Sequence, residues 1–388
     1  MAMTLLTADQ QAIRDLAREF AAGEIAPRAA DWDRNGAFDR DVLDRLAELG
    51  FLGMLVPERY GGLELDLPTY LVAFEELARG DAALALTLHI QNGPVPYVLM
   101  THGTDEQKSA WLPELASGAR IAGFALSEAG AGSDPASMTT TARRTDGGWT
   151  ISGAKKWVTN GGRADVMLVF ARTGDVDSGR NPIGAFLVDR SSPGYRVGKR
   201  ERTMGLRASE TVEVELDDVQ IAADRLVGDP ARGLGYALEA LDLGRLGIGA
   251  QAVGIASAAL EHAIGYARER RQFGRPIAAF GAIRSKLAVM ATRIAAARAL
   301  VMDGARAWET RDVPVADAVS VTARSAMAKL MASETAGLVT EEAVRIFGGY
   351  GFMREYPVEK LMRDAKATEI YEGTSEILRL VIGRSLTA

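Results

Sequence analysis

Four stretches of the chain combine residue types and spacings that could do chemistry. In Tyr371-Glu372-Gly373-Thr374 a carboxylate stands before a glycine, at a break between two helical patterns. A Glu held there can project into a cavity and, once desolvated, serve as a general base. The same residues have a plainer use. Thr374 or Ser375 can cap the helix that follows, leaving Glu372 solvated near its positive end. Upstream, Arg345-Ile-Phe-Gly348-Gly349-Tyr-Gly351-Phe closes a long helix in glycines.

The other stretches are equally two-sided. Phe124-Ala-Leu126-Ser127-Glu-Ala-Gly-Ala-Gly132-Ser133-Asp134 runs from an apolar strand into a glycine-rich turn. Successive backbone N–H groups with small side chains let a phosphate or heterocycle approach closely, but an ordinary β-turn has the same composition. The run is neither G-x-G-x-x-G nor a Walker loop. Lys156-Trp157-Val158-Thr159-Asn160-Gly161-Gly162 puts one of five tryptophans at a strand end. That ring either caps a sheet core or walls a planar cofactor, with Thr159 donating a hydrogen bond. Arg268-Glu-Arg270-Arg271-Gln-Phe273-Gly-Arg275-Pro276 ends a helix in cations. They suit the helix dipole, and guanidinium forks also match pyrophosphate oxygens. Only eight of the 45 cationic residues are Lys, so a single Arg is weak information.

Composition removes several chemistries. The 388 residues contain no Cys, which excludes disulfides, thiolate nucleophiles and Cys-ligated clusters. The three histidines, His89, His102 and His262, share no i,i+3 or i,i+4 spacing, so a His-based metal site is not expected. A net charge of −6 argues against nucleic-acid or anionic-membrane partners. No run of about 18 uncharged apolar residues is evident, so no membrane-spanning helix is expected. The start of the chain lacks a signal peptide's basic and apolar regions, and a cytoplasmic protein is expected.

The elements that must position these residues fall into three texture zones: residues 1–120, 121–232 and 233–388. The first reads as helices, with apolar stripes through Leu16, Phe20 and Ile25 and through Val42, Leu46 and Leu49. Thr104 and Gln107 have capping-box spacing. The second zone is short β-branched runs with a hairpin turn at Asp146-Gly147, and Val212, Val214 and Leu216 alternate with Glu213 and Glu215. A small sandwich or barrel is expected there. In the third, Ile283, Leu287, Met290, Ile294, Ala297 and Val301 recur at 4,3,4,3,4 spacing. With the small-residue run Gly247–Ala259 and residues Ala316–Phe347, this predicts an antiparallel bundle.

Together, FALSEAGAGSD, KKWVTNG, MGLRASE, LDLGR, RRQFGRPI, IFGGYGF and IYEGTSEI resemble the acyl-CoA dehydrogenase family, in its order and over essentially the full chain. The closest flavour is the short-chain, butyryl-CoA branch. The resemblance implies an α+β multidomain fold: an N-terminal α-helical domain, a middle β-barrel and a C-terminal four-helix bundle, with FAD between the last two. It implies that Phe124, Leu126, Ser127, Gly132 and Ser133 line the flavin and thioester end. Trp157 would pack on the isoalloxazine, with Val158 and Thr159 beside it, Thr159 near N5. Arg270, Phe273, Gly348 and Gly349 would grip FAD across a subunit interface, Phe280 would also bind the cofactor, and Thr374 and Glu376 would complete that site. Ser133, Asp242, Arg245, Tyr371 and Gly373 would contact the acyl-CoA. Acyl selectivity would depend on packing between Leu86-Thr87-Leu88 and the helix through Leu241 and Ile248.

By the same resemblance, Glu372 removes the α-proton of the thioester while the β-hydride passes to flavin N5. The enolate-like oxygen would be held by the base's own N–H and a ribityl hydroxyl. The electrons would go on to an electron-transferring flavoprotein, and the assembly would be a homotetramer. Relatives that place the base before the Arg of LDLGR find Gly244 at that position here, which cannot act as one. Two other readings remain at this point: a flavin-dependent oxidase or monooxygenase on the same fold, and a non-catalytic acyl-binding helical protein. The chain departs from the family at Gly281 and Arg345, frequently Gln, at Val289, frequently acidic, and at Ala129, usually Pro.

Overall fold

The computed structural model describes residues 6–174, 182–313 and 319–387. Seven helices come first: α1 (Ala8–Phe20), α2 (Ala29–Asn35), α3 (Arg40–Glu48), α4 (Leu67–Gly80), α5 (Ala82–Asn92), α6 (Pro94–His102) and α7 (Asp105–Ala116). Their starts follow local chemistry. Thr104 and Gln107 form the reciprocal capping box, while Asp66 accepts the Thr69 amide and Asp81 the Leu84 amide. Phe20, Ile25, Val42 and Leu46 are buried as the stripes require. Leu16 is not, because it lies on the outer face of α1 at 38% exposure. α5 is the exception to amphipathicity. All eleven of its residues are buried, so it runs through the interior rather than along the surface.

The middle zone holds β1 (Ala122–Ala125), β2 (Thr141–Thr145), β3 (Gly148–Thr159), β4 (Val166–Arg172), β5 (Ile183–Asp189), β6 (Tyr195–Arg200), β7 (Thr211–Ala222) and β8 (Leu226–Val227). They form one mixed sheet in the order β6-β7-β3-β2-β4-β5-β8, with β1 parallel to β4. β2 and β3 are the expected hairpin, Thr145 opposite Gly148 across Asp146-Gly147. Val212, Val214 and Leu216 face inward, while Glu215 faces water and Glu213, half-buried, pairs with Lys156. The Trp149 and Phe186 rings meet with centroids 5.3 Å apart, although two strands separate β3 from β5 in the ladder. Flat strands at that separation lie roughly 14 Å apart, so the sheet curls around its own core, as a barrel does. Its end strands β6 and β8 are not paired with each other among the described residues.

The last zone is α8 (Gly233–Glu269), a two-residue ribbon of β9 (Arg271–Gln272) and β10 (Arg275–Pro276), α9 (Gly281–Glu309), α10 (Val321–Phe347), α11 (Pro357–Thr368) and α12 (Ser375–Thr387). On α9, Met290, Ile294, Ala297 and Val301 are buried, with Ile283 and Leu287 packed against the core. α10 begins at Val321 behind the Ser320 cap, later than the expected Ala316, and residues 316–318 lie outside the described residues. α8 is long and apolar enough to cross a bilayer, contrary to expectation, but 94% of its apolar window is buried inside the fold. It packs against α4, α9, α10 and α11, and its small residues let those helices approach.

Candidate active site

Glu372 sits in the turn between α11 and α12. The turn closes where the Ser375 amide donates to Glu369 O. Glu372 has φ 53° and Gly373 φ 97°, so two consecutive residues are left-handed. For a non-glycine residue this costs roughly 1 kcal/mol or more and persists only where surroundings enforce it. Two buried cations do so. Arg245 Nε donates to Glu372 O at 3.4 Å and Lys329 Nζ to Gly373 O at 2.7 Å. Burial pushes the Lys329 amine down to about 8, against the pull of the Glu372 charge.

The twisted backbone aims the Glu372 side chain inward, where it is only 10% exposed. Its Oε1 lies 2.9 Å from His89 Nε2 on α5. Its Oε2 is buried with no hydrogen-bond partner. Space for that oxygen comes from α8, since a Cβ on Gly244 would stand 2.1 Å from it. Thr374 does cap α12, accepting the Ile377 amide, so the capping reading holds for Thr374. The solvated-Glu reading fails.

Around the carboxylate, the Tyr371 hydroxyl donates to Gln251 Oε1, whose amide donates to Ala82 O. Burial, then the Glu372 charge, lift Tyr371 well above its ordinary pKa. Tyr70 on α4 is raised by the same two causes, and its buried hydroxyl has no partner. Arg245 also donates to Asp242 Oδ1 at 2.5 Å. Burial raises the Asp242 carboxyl, opposed by Arg245.

The sheet forms the facing wall. A register shift between Lys155 and Val158 bulges β3 and turns Trp157 outward at φ 57°, 54% exposed. This rules out the core-cap reading of that ring. Gly132 lies beside the ring, and Gly132 and Ser133 are exposed while Phe124, Ser127 and Thr159 are half-buried. Leu126 and Val158 point into packed interior and leave only their backbones available. The Lys156 amide donates to Ser127 O, tying the glycine-rich turn to β3. Beneath it, Lys155 Nζ donates to Leu126 O and to Glu128 Oε1, and Glu128 also accepts the Thr139 and Thr140 amides. Burial opposes ionisation of Glu128, but the Lys155 hydrogen bond and charge outweigh it and hold the carboxyl at about 2.

α5 joins the two walls. Thr87 Oγ1 donates to Asn160 Oδ1 at the end of β3, and His89, two residues on, meets Glu372. His89, Asn160, Lys329, Gln251, Tyr70, Lys155 and Glu128 were not among the site residues expected from the sequence, and Thr87 was expected only in the packing that sets acyl selectivity. The one available signal was a histidine inside the run ALALTLHI, apolar apart from it and Thr87.

The remaining candidates gather elsewhere. Arg270 lies over Tyr350 at 5.4 Å, Phe273 meets Phe280 edge-on at 6.0 Å and is 92% exposed, and Gly348 and Gly349 are exposed. Arg270 follows the end of α8, some 36 Å along that helix from Arg245, so one chain does not bring this group to Glu372. Glu376 is largely exposed and pairs with Arg379. Of the departures, Gly281 opens α9 with no crowding, Val289 is exposed, and Arg345 pairs with Glu341 and Glu342 on the surface.

Residues 7–119, 123–219 and 231–387 match the N-terminal, middle and C-terminal domains described for acyl-CoA dehydrogenase. The chain is 42% identical over 381 residues to an acyl-CoA dehydrogenase of Bacillus subtilis (strain 168), covering 98% of each. It is similar to the solved butyryl-CoA dehydrogenase from Megasphaera elsdenii, with TM-score 0.94, 40% identity and 100% of both chains covered. A structure named for the electron transferring flavoprotein of Acidaminococcus fermentans also matches, with TM-score 0.94, 40% identity and 100% and 99% coverage.

Proposed function

The chain belongs to the acyl-CoA dehydrogenase family, and on that premise we propose that it dehydrogenates an acyl-CoA thioester to the trans-2-enoyl-CoA with Glu372 as base. The observation that carries the assignment is the Glu372 carboxylate itself: inward, nearly sealed from water, and with Oε2 unpartnered. Such an oxygen is free to take a proton from a bound substrate. The resemblance to butyryl-CoA dehydrogenase favours a short acyl chain.

The family's cofactor is FAD, and the sheet wall fits a planar ring system: an outward Trp157, an open Gly132-Ser133 backbone beside it, and half-buried Ser127 and Thr159. When bound, FAD supplies the acceptor for the β-hydride. Everything else is the chain's own work. Glu372 Oε2 receives the α-proton. The Glu372 amide has no acceptor among the described residues and is available to the thioester oxygen, a donation typically worth ~2.7–4 kcal/mol as charge develops there. Arg245 and Asp242, with Tyr371 and Gly373, shape the channel for the CoA arm. Tyr70 and Tyr371 help exclude water.

Arg270, Phe273, Phe280, Gly348 and Gly349 complete the flavin site of a second copy, with Thr374 and Glu376 at that junction, in a homotetramer of three-zone chains divided at 120 and 232. The enzyme works in the cytoplasm, and its electrons pass to an electron-transferring flavoprotein.

Anaerobic titration of the flavin-loaded protein with a panel of acyl-CoAs tests the reading. Bleaching by short-chain thioesters is expected, and no bleaching by any thioester overturns it. Glu372→Gln should keep FAD and lose about 10²–10⁴-fold in flavin reduction, while normal turnover in that variant removes Glu372 as the base.

A further inference from the structure

We propose that His89 is a positioning residue for Glu372: its Nε2–H holds Oε1, so that Oε2 alone is left to accept the substrate proton. The inference rests on the reading of Glu372 as the base.

The geometry is specific. A carboxylate only accepts, so the nitrogen 2.9 Å from Oε1 carries the hydrogen. The imidazole is 1% exposed and the carboxylate side chain 10%, so water does not compete for either. His89 Nδ1 has no partner and faces Gly247 of α8, where a Cβ would come within 2.5 Å of it. A second proton there would bury a cation with an unpaired N–H, which is costlier than an unpaired lone pair. The neutral Nε2–H tautomer therefore satisfies the site.

The ring also has little freedom to leave. α5 is buried throughout, and its neighbouring polar residues are all anchored. Thr87 donates to Asn160, Gln91 to Leu115 O and Asn92 to Phe51 O. Phe74 packs on the imidazole with centroids 5.8 Å apart. On the opposite side, Gly244 makes room for Oε2 and Gly247 for the imidazole. These glycines are one turn apart on α8, so the His–Glu pair lies in a notch cut into one helix face.

The other groups facing the carboxylate are committed elsewhere or do not bond it. Lys329 from α10 and Arg245 from α8 donate to the carbonyls of Gly373 and Glu372. Tyr371 donates to Gln251, and the Tyr70 hydroxyl from α4 has no partner. Asp364 of α11 acts on Tyr371 and pairs with Lys360. His89 is thus the sole hydrogen-bond partner of the carboxylate among the described residues. A hydrogen bond to the charged form of a carboxylate is favourable, so His89 orients the base through Oε1.

The test uses the FAD-loaded protein and two variants. In His89→Leu the acidic limb of kcat/KM should rise by roughly one to two pH units, the worth of one hydrogen bond to a charge. kcat should fall more than KM changes, with flavin content retained. His89→Gln, which restores an N–H donor, should bring the limb back toward the parent. ¹⁵N-histidine NMR of the unsubstituted protein, with only three histidines to assign, should show His89 neutral with hydrogen on Nε2, shifting on Glu372→Gln. An unmoved limb in a flavin-replete His89→Leu, or hydrogen on Nδ1 alone, overturns the proposal. If His89→Leu does not retain flavin, the NMR tautomer decides. Normal turnover in Glu372→Gln would instead bring down the base reading itself. An inactive Glu372→Gln beside an unchanged His89→Leu overturns only the role of His89.

Discussion

Gly244 and Glu372 share one volume: a Cβ on the α8 glycine would stand 2.1 Å from the free carboxylate oxygen of the α11–α12 turn. The contact joins residues far apart in sequence and makes a helix-interior glycine part of the site's shape. Alanine there is favoured by helix propensity by about 1 kcal/mol, so Gly244→Ala should leave the melting temperature near the parent's. Oε2 must nevertheless shift by more than an ångström, and misplacement on that scale costs around 10²-fold in rate. Stopped-flow flavin reduction checks this, and an unimpaired rate would mean that the carboxylate works from another position.

Trp157 stands outside the sheet core at 54% exposure, held there by the β3 bulge. Trp157→Ala should leave chain stability unchanged and weaken FAD binding about tenfold, the scale of one lost aromatic stacking contact. Titration of the apoprotein with FAD measures it. An unchanged Kd would place the flavin against a different surface.

Lys155 and Glu128 pin the glycine-rich turn from below, both almost fully buried. Removing one partner of such a pair strands a charge, and Lys155→Met should cost about 3–5 kcal/mol in denaturant unfolding. The pH dependence follows from Glu128, held at about 2 in the fold against its ordinary 4.5. A carboxyl depressed by folding contributes fully above its unfolded pKa and loses that contribution as pH falls through the folded one. The stability gap between the parent and Glu128→Gln should therefore close as pH drops from about 4.5 toward 2. A gap that persists at pH 2 would contradict the pairing.

Lys360 binds α5 to α11. Its Nζ donates to Asp81 Oδ2 at 2.8 Å, at the N-cap of α5, and to Asp364 Oδ2 at 2.6 Å. Asp364 in turn accepts the Leu206 amide. Lys360→Met leaves two buried carboxylates facing each other, so a loss of about 3–5 kcal/mol is expected, with faster amide exchange in α5. Unaltered α5 protection would show that the helix is held by packing alone.

What could be read from the chain was whatever its chemistry settles within a few residues. The Thr104–Gln107 box, the Asp146-Gly147 hairpin, the wet-and-dry alternation of β7 and the α9 seam all depend on neighbours within a turn or a pleat. Glu372 was legible because a Glu before Gly at a helix break stands out, and its left-handed backbone agrees with that position. Trp157 was open to two readings, because alternation alone does not say whether a bulge turns a residue outward.

The rest was decided by closure of the tertiary structure. His89 and Glu372 are 283 residues apart, and neither α5 nor the turn after α11 carries a local mark of the other. They meet only because α8 offers glycine at 244 and 247, where each side chain needs room. Residue types and order were enough to place the chain in its family. Which oxygen of Glu372 is free, and what holds the other, depends on packing between helices distant in sequence, and no local periodicity encodes that.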